Sequence, residues 1–412
     1  MTVSARPTPM DLTMHTMAQG RPPVSLTVGA VLHLDGTAPP LAELRAHVSD
    51  HLDRLPRLTH YLKGPGLKAR WAHDPAPDLD RRIREHRTPP GQAALDAALK
   101  DLPGRPLPDD GPPWDLWLLH GHAPGRFTLC FRAHHTTHDG TGVLNVLHRL
   151  FGTTPPAGPT PPAPVHRTPL RAYTRTLTAM LGSLTRNHLW NDPAHPLHGD
   201  RAGAWAHVPT EILRATGAAR GGSSNDALLA ALAGALRTWS RAHWPRSTGR
   251  PVPAVMMVDL SRPDEHSRPG NTFTFSPVAL PAHLPTPAAR LDAVIAATRG
   301  PKDRARRAAM RTITDLTPAR AFHTMATRLT TPSRAIVDTS HVTLHQPLHL
   351  HGAPVTHAQW FTWLPRHHPV SLAACTYNGT TSVYFVTDQA LPGLHDLPTL
   401  WKQAATQPIP EP

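Results

Sequence analysis

Three histidines, His134, His135 and His138, fall within five positions of the stretch FRAHHTTHDG (131–140), and an Asp139–Gly140 pair closes it. Imidazoles can ligate a metal or move a proton. His134 and His135 are chain neighbours, and on a strand their side chains leave opposite faces, so they do not easily share one ion. No Cys or Glu stands within the run itself to complete a ligand set. The run is therefore not read as a metal centre. With 30 histidines in 412 residues, a chance cluster of ordinary polar side chains is the bland alternative. The catalytic reading needs one imidazole at a strand end, held rigidly and facing a cleft. Its usual pKa of ~6.5 leaves it largely neutral and able to accept a proton at neutral pH. A carboxylate four residues on can hold the loop, and a following glycine allows a tight turn into a helix. His135, Asp139 and Gly140 fit that arrangement.

The flanking sequence supplies the strand and the helix. In RFTLCFRAHH (126–135) Phe127, Leu129, Phe131 and Ala133 share one face of a strand. PPWDLWLLHG (112–121) reads as a strand joined to it through HGHAPG. TGVLNVLHRLFG (141–152) reads as a helix with Val143, Leu147 and Leu150 on one side. Earlier, VSLTVGAVLHLDG (24–36) alternates and ends in Asp–Gly, the mark of a strand and turn. Leu41, Leu44, Val48, Leu52 and Leu55 lie on one helical face, and 91–102 reads as a second helix. The proline-dense stretch 152–169 has no apolar period and reads as a linker, followed by a helix from Leu170. Beyond it, 223–239 is a helix with Ser and Asn at its start, 253–263 and 271–280 are strands, and 287–300 is a helix. Residues 371–388 form a hairpin with Asn378–Gly379 at the turn, and LPTLWKQAA closes the chain as a helix. Helices and strands mix in both halves, which points to α/β sandwiches with mixed sheets.

Length suits two units of about 200 residues each. The sequence divides into 1–151, carrying the histidine run, a linker and crossover over 152–190, and 191–412. The formal charge is +13, nearly all of it from Arg, alongside 49 prolines, as high-GC coding would give. The densest basic run, 301–311, contains no aromatic residue, so no nucleic-acid partner is expected. Cys130 and Cys375 sit in apolar stretches and read as two buried thiols. No signal peptide or membrane span is seen, and a cytoplasmic location is expected.

HHTTHDG has the form HHxxxDG, shared by chloramphenicol acetyltransferase-like enzymes, condensation domains and wax ester synthase/diacylglycerol acyltransferases. The flanks select the last of these. GRPLPDDGPPWDLWLLHG resembles that family's Pro–Leu–Trp–Glu strand, and SSNDALLAALAGALR its Asn–Asp helix. VDLSRP with PGN (269–271), YNG (377–379) with Asp388, and the opening TMHTMAQGRPPVSLTVGAVLHLDG resemble further family segments, in order along nearly the whole chain. The resemblance implies two chloramphenicol acetyltransferase-like α/β sandwich domains with mixed sheets, pseudo-dimeric around a central tunnel. It makes His135 the general base and His134 its structural neighbour. Asp139 becomes the partner of an arginine, beside Gly140. Where the family often has that arginine, after the Leu of LPRL, this chain has Thr59, which leaves Arg57 and Arg262 as candidates. A second departure is TSHVTLHQPLHLHG (339–352), where His341 takes the place of an Asn and the family's Pro–Gly–Pro is gone. That segment is expected as a loop bordering the site. His341 reads either as a substrate-side group or as an ordinary packing histidine. Trp114 and Asn225 are the other substrate-side candidates.

The implied activity is acyl transfer from a thioester, on coenzyme A or a carrier protein, to a small hydroxyl acceptor. No bound metal or other cofactor is expected. The altered 339–352 segment favours a specialised-metabolite product over bulk lipid. The alternatives are an amide-forming condensation enzyme with an amine acceptor, and a catalytically silent acyl-binding or scaffold protein.

Overall fold

The computed structural model describes residues 6–20, 25–153, 168–182, 187, 189, 192–262, 265–331, 333–364 and 368–409. Most of the expected linker, 154–167, lies outside them.

Two six-stranded mixed sheets organise the molecule. Sheet 1 is ordered β11 (His349–Leu350), β12 (Ala353–Phe361), β1 (Thr27–Asp35), β6 (Arg126–His134), β5 (Trp114–His120) and β4 (Ile83–Arg87). Sheet 2 is ordered β7 (Arg201–Pro209), β14 (Thr380–Asp388), β13 (Val370–Tyr377), β10 (Val337–Thr343), β8 (Val252–Asp259) and β9 (Phe273–Leu280). β4 runs parallel to β5, and β10 parallel to β8 and β13, among otherwise antiparallel neighbours. A small hairpin, β2 (His60–Lys63) with β3 (Arg70–His73), stands apart. The helices are α1 (Pro9–Ala18), α2 (Leu41–Ser49), α3 (Pro56–Thr59), α4 (Leu79–Arg82), α5 (Gln92–Asp101), α6 (Gly140–Phe151), α7 (Leu170–Gly182), α8 (Thr210–Ala218), α9 (Ser224–His243), α10 (Pro287–Lys302), α11 (Arg304–Leu316), α12 (Ala319–Leu329) and α13 (Leu397–Thr406).

Each sheet buries the apolar face that its alternation supplies. Phe127, Leu129, Phe131 and Ala133 of β6 pack with Val143, Leu147 and Leu150 of α6 and with Leu44 and Val48 of α2. That packing fixes where β6 ends and α6 begins, and hence the loop between them. Leu147 is fully buried, and cutting such a side chain to Ala costs about 2–5 kcal/mol. Sheet 2 is covered by α9, whose Ala- and Leu-rich sequence is buried almost all round, and by α13. Ser223 and Asp226 form a reciprocal capping box at the start of α9. Asn378 and Gly379 turn the β13–β14 hairpin with φ of +44° and +75°, as an Asn–Gly turn requires.

Three elements depart from the sequence reading. The helix expected through Leu55 stops at Ser49; Leu52–Arg54 make a single 3-10 turn, and Pro56, which donates no hydrogen bond and holds Leu55 out of helical geometry, separates that turn from α3. The segment expected as a loop over 339–352 begins as strand: Thr339–Thr343 belong to β10 and pair with β13. β11 and β12 come from the stretch assigned to the second unit yet complete sheet 1, with Ala30 opposite Trp360 and Leu32 opposite Ala358. They cover the side of β1 that would otherwise present unpaired backbone groups.

Candidate active site

β6 ends at His134, and the chain reaches α6 in five residues. The backbone N–H of His135 donates to Leu26 O at 2.8 Å, and those of Thr137 and His138 turn back to His134 O. Asp139 caps α6, its Oδ1 accepting from Gly142 N–H at 2.7 Å while Oδ2 accepts from Thr272 N–H at 2.8 Å. One carboxylate thus ties the start of α6 to the approach to β9.

Arg57 is the arginine beside Asp139. Its Nη2 lies 3.8 Å from Asp139 Oδ1, with both side chains at most 5% exposed. The guanidinium also donates to Thr137 O (3.1 Å), Gly270 O (2.9 Å) and His266 O (3.1 Å), so it clamps the backbone of two segments as well as neutralising a charge. Arg262 is exposed, and its backbone N–H donates to Glu265, away from Asp139. Gly142 makes room for the clamp, since a Cβ there would fall inside the Arg57 guanidinium. At Gly140 a Cβ would press on Val342 Cγ1 of β10 at 3.0 Å.

His135 itself is held by Asn271, just before β9. Nδ1 of His135 is 2.9 Å from Asn271 Oδ1. Asn271 Nδ2 donates to Asp11 Oδ1 at 3.0 Å and to His135 O at 2.7 Å, both pure acceptors. Its Oδ1 must therefore face the ring, Nδ1 carries the proton, and the Nε2 lone pair is left for chemistry. Burial pulls the His135 ring below its ordinary pKa, opposed by its own carbonyl, the Asp139 charge and Asn271. A ring so placed is neutral at pH 7 and able to accept a proton.

Two cavities meet at His135. A narrow one of about 60 Å³ is lined by α1 and α12 together with Phe275, Trp363 and Leu372. A wider one of about 460 Å³ runs past Leu144, Asn145, His148 and His341. Met257, Phe273, Ser340 and Thr362 border both, as His135 does. His341 stands in the wider cavity with Nε2 2.9 Å from Thr376 Oγ1, and burial pulls its ring down to about 4.

The remaining candidates lie elsewhere. His134 turns away from His135 toward Thr136 Oγ1 at 2.8 Å, and burial brings its ring down to about 4. Trp114 is a core residue whose indole donates to Leu58 O at 2.8 Å, and it borders neither cavity. Asn225 sits in the first turn of α9 with Nδ2 3.8 Å from Met256 Sδ, also outside both cavity walls. His138 is fully buried against Phe131, with Nδ1 2.8 Å from Thr137 Oγ1. Cys130 and Cys375 are buried free thiols, each pushed up to about 12 by burial. Among the described residues no helix is long and apolar enough to cross a membrane.

Sequence reasoning missed Asp11 and the roles of Asn271 and Gly142. Thr8-x-x-Asp11 ahead of an apolar run is a capping-box signal, and it does start α1. Asn271 stood in the quoted PGN without an assigned part. Gly270 beside it has φ of +107°, and a Cβ there would meet Asp11 Oδ2 at 2.8 Å.

The fold is that of the chloramphenicol acetyltransferase-like and condensation-domain structures. The first condensation domain of the calcium-dependent antibiotic synthetase superimposes with a TM-score of 0.67 at 17% identity, over 99% of this chain and 98% of that one. The starter condensation domain of rhizomide synthetase, in complex with C8-CoA, gives 0.64 at 14% identity over 93% and 90%. The wax ester synthase/diacylglycerol acyltransferase of Marinobacter aquaeolei VT8 gives 0.65 at 19% identity over 97% and 98%. Residues 8–190 match the wax ester synthase/diacylglycerol acyltransferase catalytic domain, and 269–406 match the C-terminal domain of the same family. The chain belongs to the wax ester synthase/diacylglycerol acyltransferase family. Two Mycobacterium tuberculosis proteins, provisionally named diacylglycerol O-acyltransferases, are similar to it. One is 28% identical over 270 residues, 56% of this chain and 57% of that one. The other is 29% identical over 286 residues, 60% of each. The matched stretch thus covers less than two thirds of either relative.

Proposed function

We propose that this protein transfers an acyl group from a thioester to a hydroxyl acceptor, with His135 as the general base. The observation that carries the reading is the meeting of two cavities at an imidazole whose Nδ1–H is held by Asn271. The acceptor O–H gives its proton to Nε2 as oxygen attacks the thioester carbonyl carbon. The tetrahedral adduct then collapses, the C–S bond breaks, and the imidazolium protonates the leaving thiolate. No acyl-enzyme is needed, so the site has chiefly to bring two substrates together. Asp139 and Arg57 act on the loop and not on the substrate.

We take the donor to be coenzyme A or a carrier protein, and the enzyme to be cytoplasmic. In this reading 1–151 and 191–412 are the two walls of the site, joined through 152–190, with 349–361 lent to the first wall. Besides His135, the wider cavity is lined by His148, His266, His341 and His345, and such a wall suits a polar acceptor of specialised metabolism better than bulk lipid.

Intact-mass analysis of a panel of acyl-CoA donors crossed with alcohols and amines tests this. An ester that forms with wild type and is lost in His135→Ala supports the reading. An amide as the preferred product would replace it with condensation chemistry. Binding of donors with no product from any pair would replace it with a silent acyl-binding protein.

A further inference from the structure

We propose that Asp11, on the N-terminal helix α1, is a positioning residue for His135, acting through the side-chain amide of Asn271. The inference rests on the reading of His135 as a base.

An Asn side chain can sit in two orientations that fill the same space. In the observed one Oδ1 accepts from His135 Nδ1–H. In the flipped one Nδ2 would donate to Nδ1, and the ring proton would move to Nε2. With Nδ1 taken by Asn271, that is the ring nitrogen left for a substrate, and a base with its proton there cannot accept another. Asp11 decides between the two. Its Oδ1 takes the backbone N–H of Asn271 at 2.6 Å and the Nδ2–H at 3.0 Å. His135 O and Thr136 O take the same amide group at 2.7 and 3.3 Å. A flip would turn Asn271 Oδ1 onto a carboxylate and two carbonyls, with no donor among them. The carboxylate makes that arrangement repulsive, a penalty that the two carbonyls alone do not impose.

A helix cap does not need this. The capping box asks only that Asp11 accept from Thr8, which Oδ2 does at 2.7 Å, and surface carboxylates cap helices without being buried. Asp11 instead lies fully buried with its other oxygen on Asn271. Among the described residues it has no ion-pair partner, since the nearby Arg57 is spent on Asp139 and three carbonyls. Burial pushes Asp11 up to about 6 even against the bonds from Thr8 and Asn271. Below that pH the carboxyl gains a proton and loses its charge, and the hold on Asn271 weakens. The other charged or titratable groups around the pair are Arg57 on α3, His134 at the end of β6, Asp139 and His138 in the loop, Asp259 on β8 and His15 on α1.

The test uses the full chain and reads the tautomer directly, by ¹⁵N–¹H correlation of the imidazole, with His135 assigned by difference from His135→Gln. Turnover is followed with octanoyl-CoA and the best acceptor from the panel. Asp11→Ala should show Nε2–H at His135. Its kcat should fall about 10- to 100-fold with KM unchanged, less than the ~10⁴ of a wholly wrong tautomer because the two carbonyls keep a minority of molecules in the observed orientation. Asp11→Asn, which keeps an oxygen for Asn271, should retain Nδ1–H and most of kcat while its acid limb moves to lower pH. Gln19→Ala loosens the far end of α1 at Gly64 and Gly66 without touching Asp11, and should lower Tm alone. The proposal is overturned if His135 stays Nδ1–H in Asp11→Ala, or if kcat falls with Tm in Gln19→Ala as it does in Asp11→Ala. A chain that turns over no thioester still yields the tautomer result, so failure of the acyl-transfer reading is seen separately.

Discussion

His135 has two supports, and they come from different parts of the chain and act on different parts of the residue. The near one is Asp139 with Gly140, Gly142 and Arg57, which fixes the backbone of the loop. The far one is Asn271 with Asp11, which fixes the ring. The near support is mainly a matter of folding: a buried charge pair and a helix cap hold the loop in place. The far support is mainly a matter of protonation, because it decides which nitrogen carries the hydrogen. A site can lose the second and still look intact.

Removing the ring should give the largest effect on rate. His135→Ala is expected to fold with an unchanged Tm and to lose about 10²- to 10⁴-fold in turnover, the usual range for a positioned base. Steady-state rates beside thermal melts check it, and near-wild-type turnover would dissolve the comparison altogether. Arg57→Ala attacks the near support. It strands Asp139 and three carbonyls in the interior, so about 3–5 kcal/mol of stability should go, read by urea unfolding, with activity lost alongside. A variant of full stability would mean that the clamp is not what holds the loop.

Cutting His138, which packs beneath the loop, should be milder, at about 1–3 kcal/mol from urea midpoints. The free x position of HHxxxDG suggests a neutral site, but the side chain is fully buried. Acid should then weaken the fold through its buried neutral rings. His134, His341 and His357 are all brought down to about 4 by burial. A histidine lowered in the folded state binds its proton more readily when unfolded. Stability is therefore full above the unfolded value of ~6.5 and drains away as pH falls toward 4. Tm measured from pH 7.5 to 4.5 should decline through that window, and less steeply in His341→Gln. Arg262→Ala is the smallest expected change, within about 0.5 kcal/mol, because the residue is exposed and stands apart from Asp139. A large loss there would reassign the partner of Asp139.

The same division explains what the sequence revealed. Everything governed by local pattern was legible: β6 from its alternation, α6 from its 3.6-residue period, the β13–β14 turn from Asn–Gly, and the strand–loop–helix setting of His135. Asp139 was legible as the carboxylate that holds the loop; family resemblance gave it an arginine partner and left two candidates, and only the packing of α3 against the loop separated them. Asp11 was out of reach because its significance lies 260 residues away, at Asn271. The capping spacing at Thr8 could have announced α1, but no periodicity says what a capping carboxylate does with its second oxygen. For the same reason β12 could be suspected as a strand from its sequence, whereas its partner β1, with Val31 opposite Gln359, could not.

That pairing has a consequence for synthesis. A chain leaving the ribosome completes β1, β6, β5 and α6 early, yet sheet 1 keeps an open edge at β1 until β12 has emerged, close to residue 361. Through most of translation the half that holds His135 carries a bare row of amides and carbonyls, the kind of edge that recruits another chain. The joint that unites the two sheets is also among the last to form, and it is a long-range contact of the kind that slows folding. Production of this protein is thus a race between elongation and edge-to-edge association, decided at a strand that lies far from the chemistry.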